Sequence, residues 1–199
     1  MSLVKRCNWG NYNDQMKEYH DTEWGVPVHD DRLLFEFLTL EGAQAGLSWN
    51  TILQKRENFR EAFDNFDYNK IAAYGEKKVE ELLNNAGIIR NRLKIESTIV
   101  NAKVLLKVLE EFGSFDNYIW EFIDNNPIIN KFKTLEELPP KTEQSERISK
   151  ALKKRGFKFV GPTIIYSFMQ AVGMINDHTI DCFRYEEINQ IIRKSVYIK

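Results

Sequence analysis

The chain has 199 residues, of which 43% are hydrophobic and 29% are charged. This composition allows a substantial buried core and excludes an intrinsically disordered or fibrous protein. The 28 basic and 29 acidic residues nearly cancel, which excludes a protein that coats nucleic acid through bulk charge but permits a local basic face. Two cysteines are too few for a disulfide framework, and residues 1–13 lack the apolar segment of a signal peptide. We therefore expect a cytoplasmic, monomeric protein that has no membrane span.

The hydrophobic spacing predicts helices along almost the whole chain, most of them preceded by a capping side chain and followed by glycine. In the first half of the chain, helices are predicted from Asp30 or Asp31, from Ser48 to about Phe63, and from Asp67 to before Gly75. A further helix contains Val79, Leu82 and Leu83 and ends before Gly87, and the next runs from Ile95 through Leu109 to Gly113. The last three begin at Ser114, at Ser145 (ending at Gly156), and at Gly161 and Pro162. Residues 125–144 contain three prolines and predict an extended connection. The predicted fold is all-α, with residues 1–199 in one domain of two packed helical lobes.

The last two predicted helices enclose a short turn bounded by Gly156 and Gly161, which indicates a helix-hairpin-helix. Backbone N–H groups and the helix dipole at the second N-terminus favour a phosphate. Residues 147–161 include six basic residues and no acidic one, which agrees with a DNA-binding role. An ordinary helical hairpin with a solvated face remains the alternative at this point.

Four potential metal ligands lie near the two ends of the chain: Cys7, His20, His178 and Cys182. The last two are four residues apart and would share one face of a helix. Two thiolates and two imidazoles suit a closed, structural zinc site that joins the N- and C-terminal regions. The alternative is four residues without a common purpose.

Glu41 lies in a segment of small and apolar residues, so we expect it to be partly buried. A buried carboxylate is costly unless it has a partner. With Trp9, Tyr19, Trp24 and Trp49 nearby, it would suit a flat, electron-poor, hydrogen-bond-donating ligand. The alternative is an aromatic core with a glutamate that caps a neighbouring helix.

Four segments together resemble the bacterial 3-methyladenine DNA glycosylase I family: residues 19–27, residues 40–49, residues 153–161, and Asn176 to His178 followed by Cys182. The resemblance extends from Cys7 to about Tyr185. Its long strings in the same order are far more specific than one short motif.

The resemblance implies a helix-hairpin-helix DNA glycosylase that hydrolyses the N-glycosidic bond of 3-methyladenine in alkylated double-stranded DNA, releases the free base and starts base excision repair. It places structural zinc on Cys7, His20, His178 and Cys182, and it implies no organic cofactor. The base pocket falls on Trp9, Tyr19, Glu41 and Trp49. The DNA-binding hairpin includes Gly156, Lys158, Val160 and Gly161.

Several further roles are hypotheses. Trp49 and Tyr19 would sandwich the flipped base while Glu41 accepts a hydrogen bond from its exocyclic amine. Asp177 would either be a catalytic carboxylate or orient the imidazole of His178. Leu47 would wedge into the gap left by the flipped nucleotide, unless it is a core leucine. Because Pro162 and Thr163, and no lysine, follow Gly161, we expect a monofunctional enzyme.

Two regions depart from the family. Asp14, Gln15 and Met16 stand where the family usually has Pro-Leu-Tyr, and the residues after Ile188 have no assignment. Two other functions remain open from the sequence alone: a non-enzymatic helix-hairpin-helix DNA-binding protein with structural zinc, and a zinc hydrolase.

Overall fold

Most of the chain is helical, as the hydrophobic spacing predicts. The structure is a computed structural model that describes residues 4–196. Within these residues the α-helices are α1 (Asp14–Thr22), α2 (Asp31–Ala43), α3 (Trp49–Gln54), α4 (Arg56–Ala62), α5 (Tyr68–Ala72), α6 (Glu76–Asn84), α7 (Arg92–Phe112), α8 (Phe115–Trp120), α9 (Glu143–Arg155), α10 (Pro162–Ala171) and α11 (Phe183–Val196). Short 3-10 helices span Asn8–Asn11, Asp64–Phe66, Glu121–Ile123 and Leu135–Glu137, and two-residue strands span Ile128–Ile129 (β1) and Ile175–Asn176 (β2).

Side-chain caps begin several of these helices at the predicted positions. The Asp30 carboxylate accepts the Leu33 backbone N–H at 2.8 Å, and Ser48 caps α3 in the same way. Asp67 caps α5 and Ser114 caps α8. Each cap satisfies an N–H group that has no partner inside its own helix.

The helices differ from the prediction in four places. The helix predicted from Ser48 to Phe63 is broken at Lys55 into α3 and α4. Thr142, rather than Ser145, caps α9, because the two side chains exchange hydrogen bonds with each other's backbone N–H in a capping box. Helices α1 and α11 were not predicted. Helix α11 includes the unassigned residues after Ile188 as far as Val196, and residues 197–199 lie outside the described range.

The helices pack around a continuous core of buried hydrophobic residues. Helix α7 packs against α5, α6 and α8, whereas α2 packs against α8 and α10. Strands β1 and β2 pair in parallel, with Ile128 opposite Ile175. This pairing holds the proline-containing connection beside the segment that leads to His178. The all-α prediction is confirmed at the level of a mostly helical fold.

Candidate functional site

Cys7, His20, His178 and Cys182 meet in the interior, where all four are buried. Their potential ligand atoms lie within 4.8 Å of one another. The Cys182 Sγ is 3.5 Å from His20 Nε2 and 3.6 Å from His178 Nδ1, which is also 3.6 Å from the Cys7 Sγ. Sulfur and nitrogen atoms bound to one tetrahedral zinc ion are about 3.6 Å apart. Both the donor set and its spacing therefore fit a metal ion.

The remaining nitrogen of each imidazole is held by a partner outside the cluster. Asp21 Oδ1 lies 2.8 Å from His20 Nδ1, and the Trp24 carbonyl oxygen lies 3.0 Å from His178 Nε2. Arg6 donates to both oxygens of Asp21. These contacts orient both rings, which is the usual arrangement around metal-binding histidines.

The cluster favours a thiolate at Cys182. Hydrogen bonds from the Cys7 thiol, His178 and His20 lower the pKa of Cys182 well below its usual range, although burial acts in the opposite direction. A thiolate is the form of cysteine that binds metal.

His178 and Cys182 do not share a helix, contrary to the prediction. They lie on either side of a tight turn in which the Cys182 N–H donates to the Thr179 carbonyl at 2.8 Å, immediately before α11. The turn, rather than a helical period, brings the two side chains together.

Beside this cluster lies a cavity of about 300 Å³. The ring of Trp24 contacts His178 at a centroid distance of 4.6 Å, so the cavity and the cluster share a wall. All four residues predicted for the base pocket line the cavity. The complete lining is Trp9, Met16, Tyr19, Trp24, Glu41, Gln44, Trp49, Leu135, Leu138, Ser167 and Gln170.

Glu41 projects from α2 into this cavity and is 4% exposed. Burial raises the pKa of its carboxyl to about 8. The Gln44 amide, oriented to satisfy both neighbours, donates to Glu41 Oε2 at 2.9 Å and accepts the Trp49 backbone N–H at 3.3 Å. Within residues 4–196, no lysine or arginine forms an ion pair with Glu41. Its negative charge therefore has no cationic partner inside the described protein.

The rings of Tyr19 and Trp49 do not form the predicted sandwich. Their centroids are 5.3 Å apart and their planes are inclined by 45°. A base between two parallel rings would hold them at twice the van der Waals contact distance, about 7 Å. The two rings contact each other and form one continuous aromatic wall, so a base can stack against them only from one side.

Met16 occupies the cavity wall at the position where the sequence departs from the family pattern. It is 7% exposed and belongs to α1, which is capped by Asn13. The Asn13 amide also donates to Asn50 at 2.7 Å, which ties α1 to α3. A flexible thioether therefore forms this part of the wall.

Five lining residues were not predicted from the sequence: Gln44, Leu135, Leu138, Ser167 and Gln170. Ser167 and Gln170 are three residues apart on α10, in an otherwise largely apolar segment. That spacing is a detectable signal for one polar face. Leu135 and Leu138 come from the proline-containing connection, whose position depends on tertiary packing.

Asp177 takes neither of its predicted roles. It is fully buried and is not among the residues that line the cavity. Its carboxylate accepts hydrogen bonds from Asn130, Tyr166 and Gln170. The His178 nitrogen that faces away from the cluster, Nε2, contacts the Trp24 carbonyl oxygen. Asp177 therefore does not orient that ring either.

The turn from Gly156 to Gly161 joins α9 to α10. Gly156 ends α9 with a φ of 105°, a conformation that side chains disfavour. The Asn101 side chain accepts the Lys158 N–H at 2.7 Å and donates to the Lys158 carbonyl at 3.0 Å, so α7 holds this turn. Val160 is 1% exposed. Its side chain therefore cannot contact DNA. The prediction that Val160 binds DNA is corrected: only its backbone could do so.

Leu47 is 41% exposed and is not a core leucine. It borders a groove of about 200 Å³ between residues 44–47 and the first turn of α10, where Thr163 and Ile164 lie. Glu41 lines both this groove and the aromatic cavity. The leucine and the first turn of α10 therefore lie at one opening that leads towards Glu41.

Two of the six basic residues near this turn are engaged within the protein. Arg155 forms an ion pair with Glu111 at 2.6 Å, and Arg147 donates to the Phe122 carbonyl. The remaining four are exposed: Lys150, Lys153, Lys154 and Lys158. Separately, none of the helices described between residues 4 and 196 has the length and apolar character needed to cross a membrane.

Comparisons with known proteins agree with this site. Residues 9–185 match the family described as methyladenine glycosylase. The chain is 50% identical over 182 residues to DNA-3-methyladenine glycosylase 1 of Escherichia coli (strain K12), covering 92% of this chain and 97% of that protein. A crystal structure of 3-methyladenine DNA glycosylase I superposes with a TM-score of 0.87 at 52% identity, covering 90% of this chain and 98% of the other.

A structure that describes 3-methyladenine recognition by the Staphylococcus aureus enzyme superposes with a TM-score of 0.87 at 33% identity, covering 90% of this chain and 96% of the other. These similarities confirm the predicted resemblance and the predicted glycosylase activity. The chain belongs to the methyladenine glycosylase family.

Proposed function

We propose that this enzyme hydrolyses the N-glycosidic bond of 3-methyladenine in alkylated double-stranded DNA and releases the free base, which starts base excision repair. The observation that carries the proposal is Glu41, a buried carboxylate without a cationic partner that faces an aromatic cavity. The Staphylococcus aureus relative, whose structure describes 3-methyladenine recognition, supports the same substrate.

The chemistry follows from the charge of the damaged base. Methylation at N3 makes the adenine cationic and weakens its bond to deoxyribose, so the base departs neutral. The nucleotide must leave the stack to reach the cavity, at a cost of a few kcal/mol. The π faces of Trp49 and Tyr19 attract the cation, and Glu41 accepts a hydrogen bond from its exocyclic amine. An unmethylated adenine gains neither the charge attraction nor the labile bond.

On the DNA side, we propose that the α9–α10 turn acts as the helix-hairpin-helix. The backbone N–H groups around Gly161 would bind a phosphate, and Lys158 would add positive charge beside it. Leu47 would fill the gap left by the flipped nucleotide, because it is exposed beside the opening. The proposal also includes one domain of two helical lobes and a cytoplasmic monomer.

We propose a monofunctional hydrolase that leaves an intact abasic site. Pro162 and Thr163 follow the turn, so no amine is provided there to attack the sugar. We assign Asp177 no part in the chemical step, because its carboxylate is fully buried and already accepts hydrogen bonds from three side chains. Strand cleavage by the pure enzyme at neutral pH would contradict this proposal.

We propose that the metal held by the cluster is zinc and that it is structural. All four donors come from protein side chains, so a tetrahedral ion keeps no position for a reactive water. When bound, zinc would join the segment around Cys7 and helix α1 to the turn before α11. The zinc ion would then stabilise the wall that the cluster and the cavity share at Trp24.

The test of the glycosylase proposal is Glu41→Gln. The amide keeps the shape of the carboxyl but loses its charge, so we expect at least a hundredfold loss of excision, in the range found for a lost preorganised electrostatic group. The measurement is chromatographic detection of 3-methyladenine released from methylated duplex. The matched control is Glu18→Gln on the exposed side of α1, which should keep full activity. Unchanged turnover in Glu41→Gln would remove Glu41 from the reaction.

The test of the zinc proposal is Cys182→Ser, with chelator-treated wild-type enzyme beside it. A structural metal contributes folding free energy, so we expect the melting temperature to fall by roughly 10 °C or more. Elemental analysis should find about one zinc per wild-type chain and less in the variant. A variant that keeps both its metal and its melting temperature would contradict a structural site.

A further inference from the structure

Gln170 is a polar residue of the cavity wall that the mechanism above does not use. It lies on α10 and lines the cavity together with Glu41. Its Nε2 donates to Asp177 Oδ2 at 2.7 Å. The other polar atom of the amide, the carbonyl oxygen Oε1, is therefore the one that can contact a ligand.

Asp177 determines the orientation of this amide. The carboxylate is fully buried and also accepts hydrogen bonds from Asn130 Nδ2 at 2.7 Å and from the Tyr166 hydroxyl. Both Asp177 oxygens are thus acceptors for neighbouring donors, and Gln170 turns its NH2 group towards Oδ2. The Oε1 is then the free end of the side chain.

The Gln170 Oε1 is available to a ligand. Within residues 4–196, no hydrogen-bond donor of the protein reaches it, and it is not one of the buried polar atoms that lack a partner. The cavity wall thus carries two acceptors, the Glu41 carboxylate and the Gln170 carbonyl.

We propose that Gln170 Oε1 accepts one hydrogen of the exocyclic amine of 3-methyladenine while Glu41 accepts the other, and that Asp177 is the positioning residue for Gln170. This inference rests on the proposed function. An amine has two hydrogens and matches two acceptors. At the same ring position, guanine carries a carbonyl oxygen, which would face both acceptors without a hydrogen. The pair therefore selects 3-methyladenine over 3-methylguanine, because a site built to accept hydrogen bonds rejects a group that cannot donate.

The experiment measures kcat/KM for release of 3-methyladenine and of 3-methylguanine from the same methylated duplex. Gln170→Met keeps the length of the side chain but loses the acceptor. We expect its preference for 3-methyladenine to fall by at least about tenfold, the value of one hydrogen bond to a charged group. Asn130→Ala is the matched control, because it removes the donor to Asp177 Oδ1 and leaves the Gln170 contact to Oδ2. Its preference should stay that of the wild type.

Asp177→Asn tests the positioning role, since an amide no longer enforces one orientation of Gln170. We expect the preference to fall in this variant but to show no further fall when Asp177→Asn is added to Gln170→Met. An unchanged preference in Gln170→Met, or an equal further loss in the double variant, would overturn the proposal. Release of 3-methyladenine by the wild-type enzyme in the same assay tests the proposed function separately, and melting curves of every variant verify folding.

Discussion

Helix α2 carries two buried glutamates that differ in their partners. Glu36 is 6% exposed and forms ion pairs with Arg56 at 2.6 Å and Arg60 at 2.8 Å. Arg56 is itself buried and also pairs with Glu23. Glu41 is 4% exposed, but its described partner is the neutral amide of Gln44. The charge of Glu36 is thus balanced within the protein, whereas that of Glu41 is not.

This difference shows that burial alone does not identify a functional carboxylate. Burying a charge is costly unless an opposite charge is near. At Glu36, two arginines provide that charge and the result is a structural contact between α2 and α4. At Glu41, the cavity provides space beside the carboxylate for a positively charged ligand. The same residue type can therefore recognise a ligand there.

Of the two glutamates, Glu36 should have the larger effect on stability when its partners are lost. Glu36→Gln leaves the buried guanidinium of Arg56 with less negative charge, so we expect the free energy of unfolding to fall by about 3 kcal/mol. For a chain of this size, that corresponds to roughly 10 °C in the melting temperature. The measurements are urea unfolding and excision per folded molecule, and the second should stay near the wild-type value.

Glu36 would have a functional and not a structural role if Glu36→Gln melted like the wild type but lost excision. Glu57→Gln is a matched control, because it removes an exposed partner of the same Arg60. Exposed pairs contribute little, so its unfolding free energy should change by less than about 1 kcal/mol.

Local patterns predicted much of the fold and of the site. Caps and glycines marked the ends of α2, α5, α7 and α8 because those signals act within one helical turn. The apolar neighbours of Glu41 indicated its burial. The four metal-binding candidates were identified from residue type, and the structure brings them together as expected.

Contacts between distant segments could not be read in this way. Glu36 also lies between apolar residues, so its sequence neighbours do not distinguish it from Glu41; the difference is made by arginines 20 and 24 residues away. Asp177 adjoins His178 in sequence, yet the backbone turns its carboxylate towards Tyr166 and Gln170. The carboxylate that does contact an imidazole of the cluster, Asp21, is near in sequence to His20 but was not identified.

The raised pKa of Glu41 should give a smaller, pH-dependent effect on stability. Burial raises its pKa from 4.5 to about 8 in the folded protein. Between these values the folded state holds a proton that the unfolded state has lost. The stability that comes from this proton is complete below pH 4.5 and is lost as the pH rises towards 8. The slope is about 1.4 kcal/mol per pH unit. From pH 6 to pH 7.5, the unfolding free energy should therefore fall by about 2 kcal/mol relative to Glu41→Gln.

The same titration should appear in catalysis, because only the ionised carboxylate attracts the cationic base. The pH dependence of kcat/KM reports groups of the free enzyme. With 3-methyladenine in duplex DNA, kcat/KM should therefore rise with pH and level off above about pH 8. Glu41→Gln should lack this rise, whereas Glu18→Gln on the protein surface should retain it. If the wild type and Glu41→Gln gave parallel profiles in both unfolding and catalysis, Glu41 would have to be paired within the protein as Glu36 is, and the distinction between the two carboxylates would not hold.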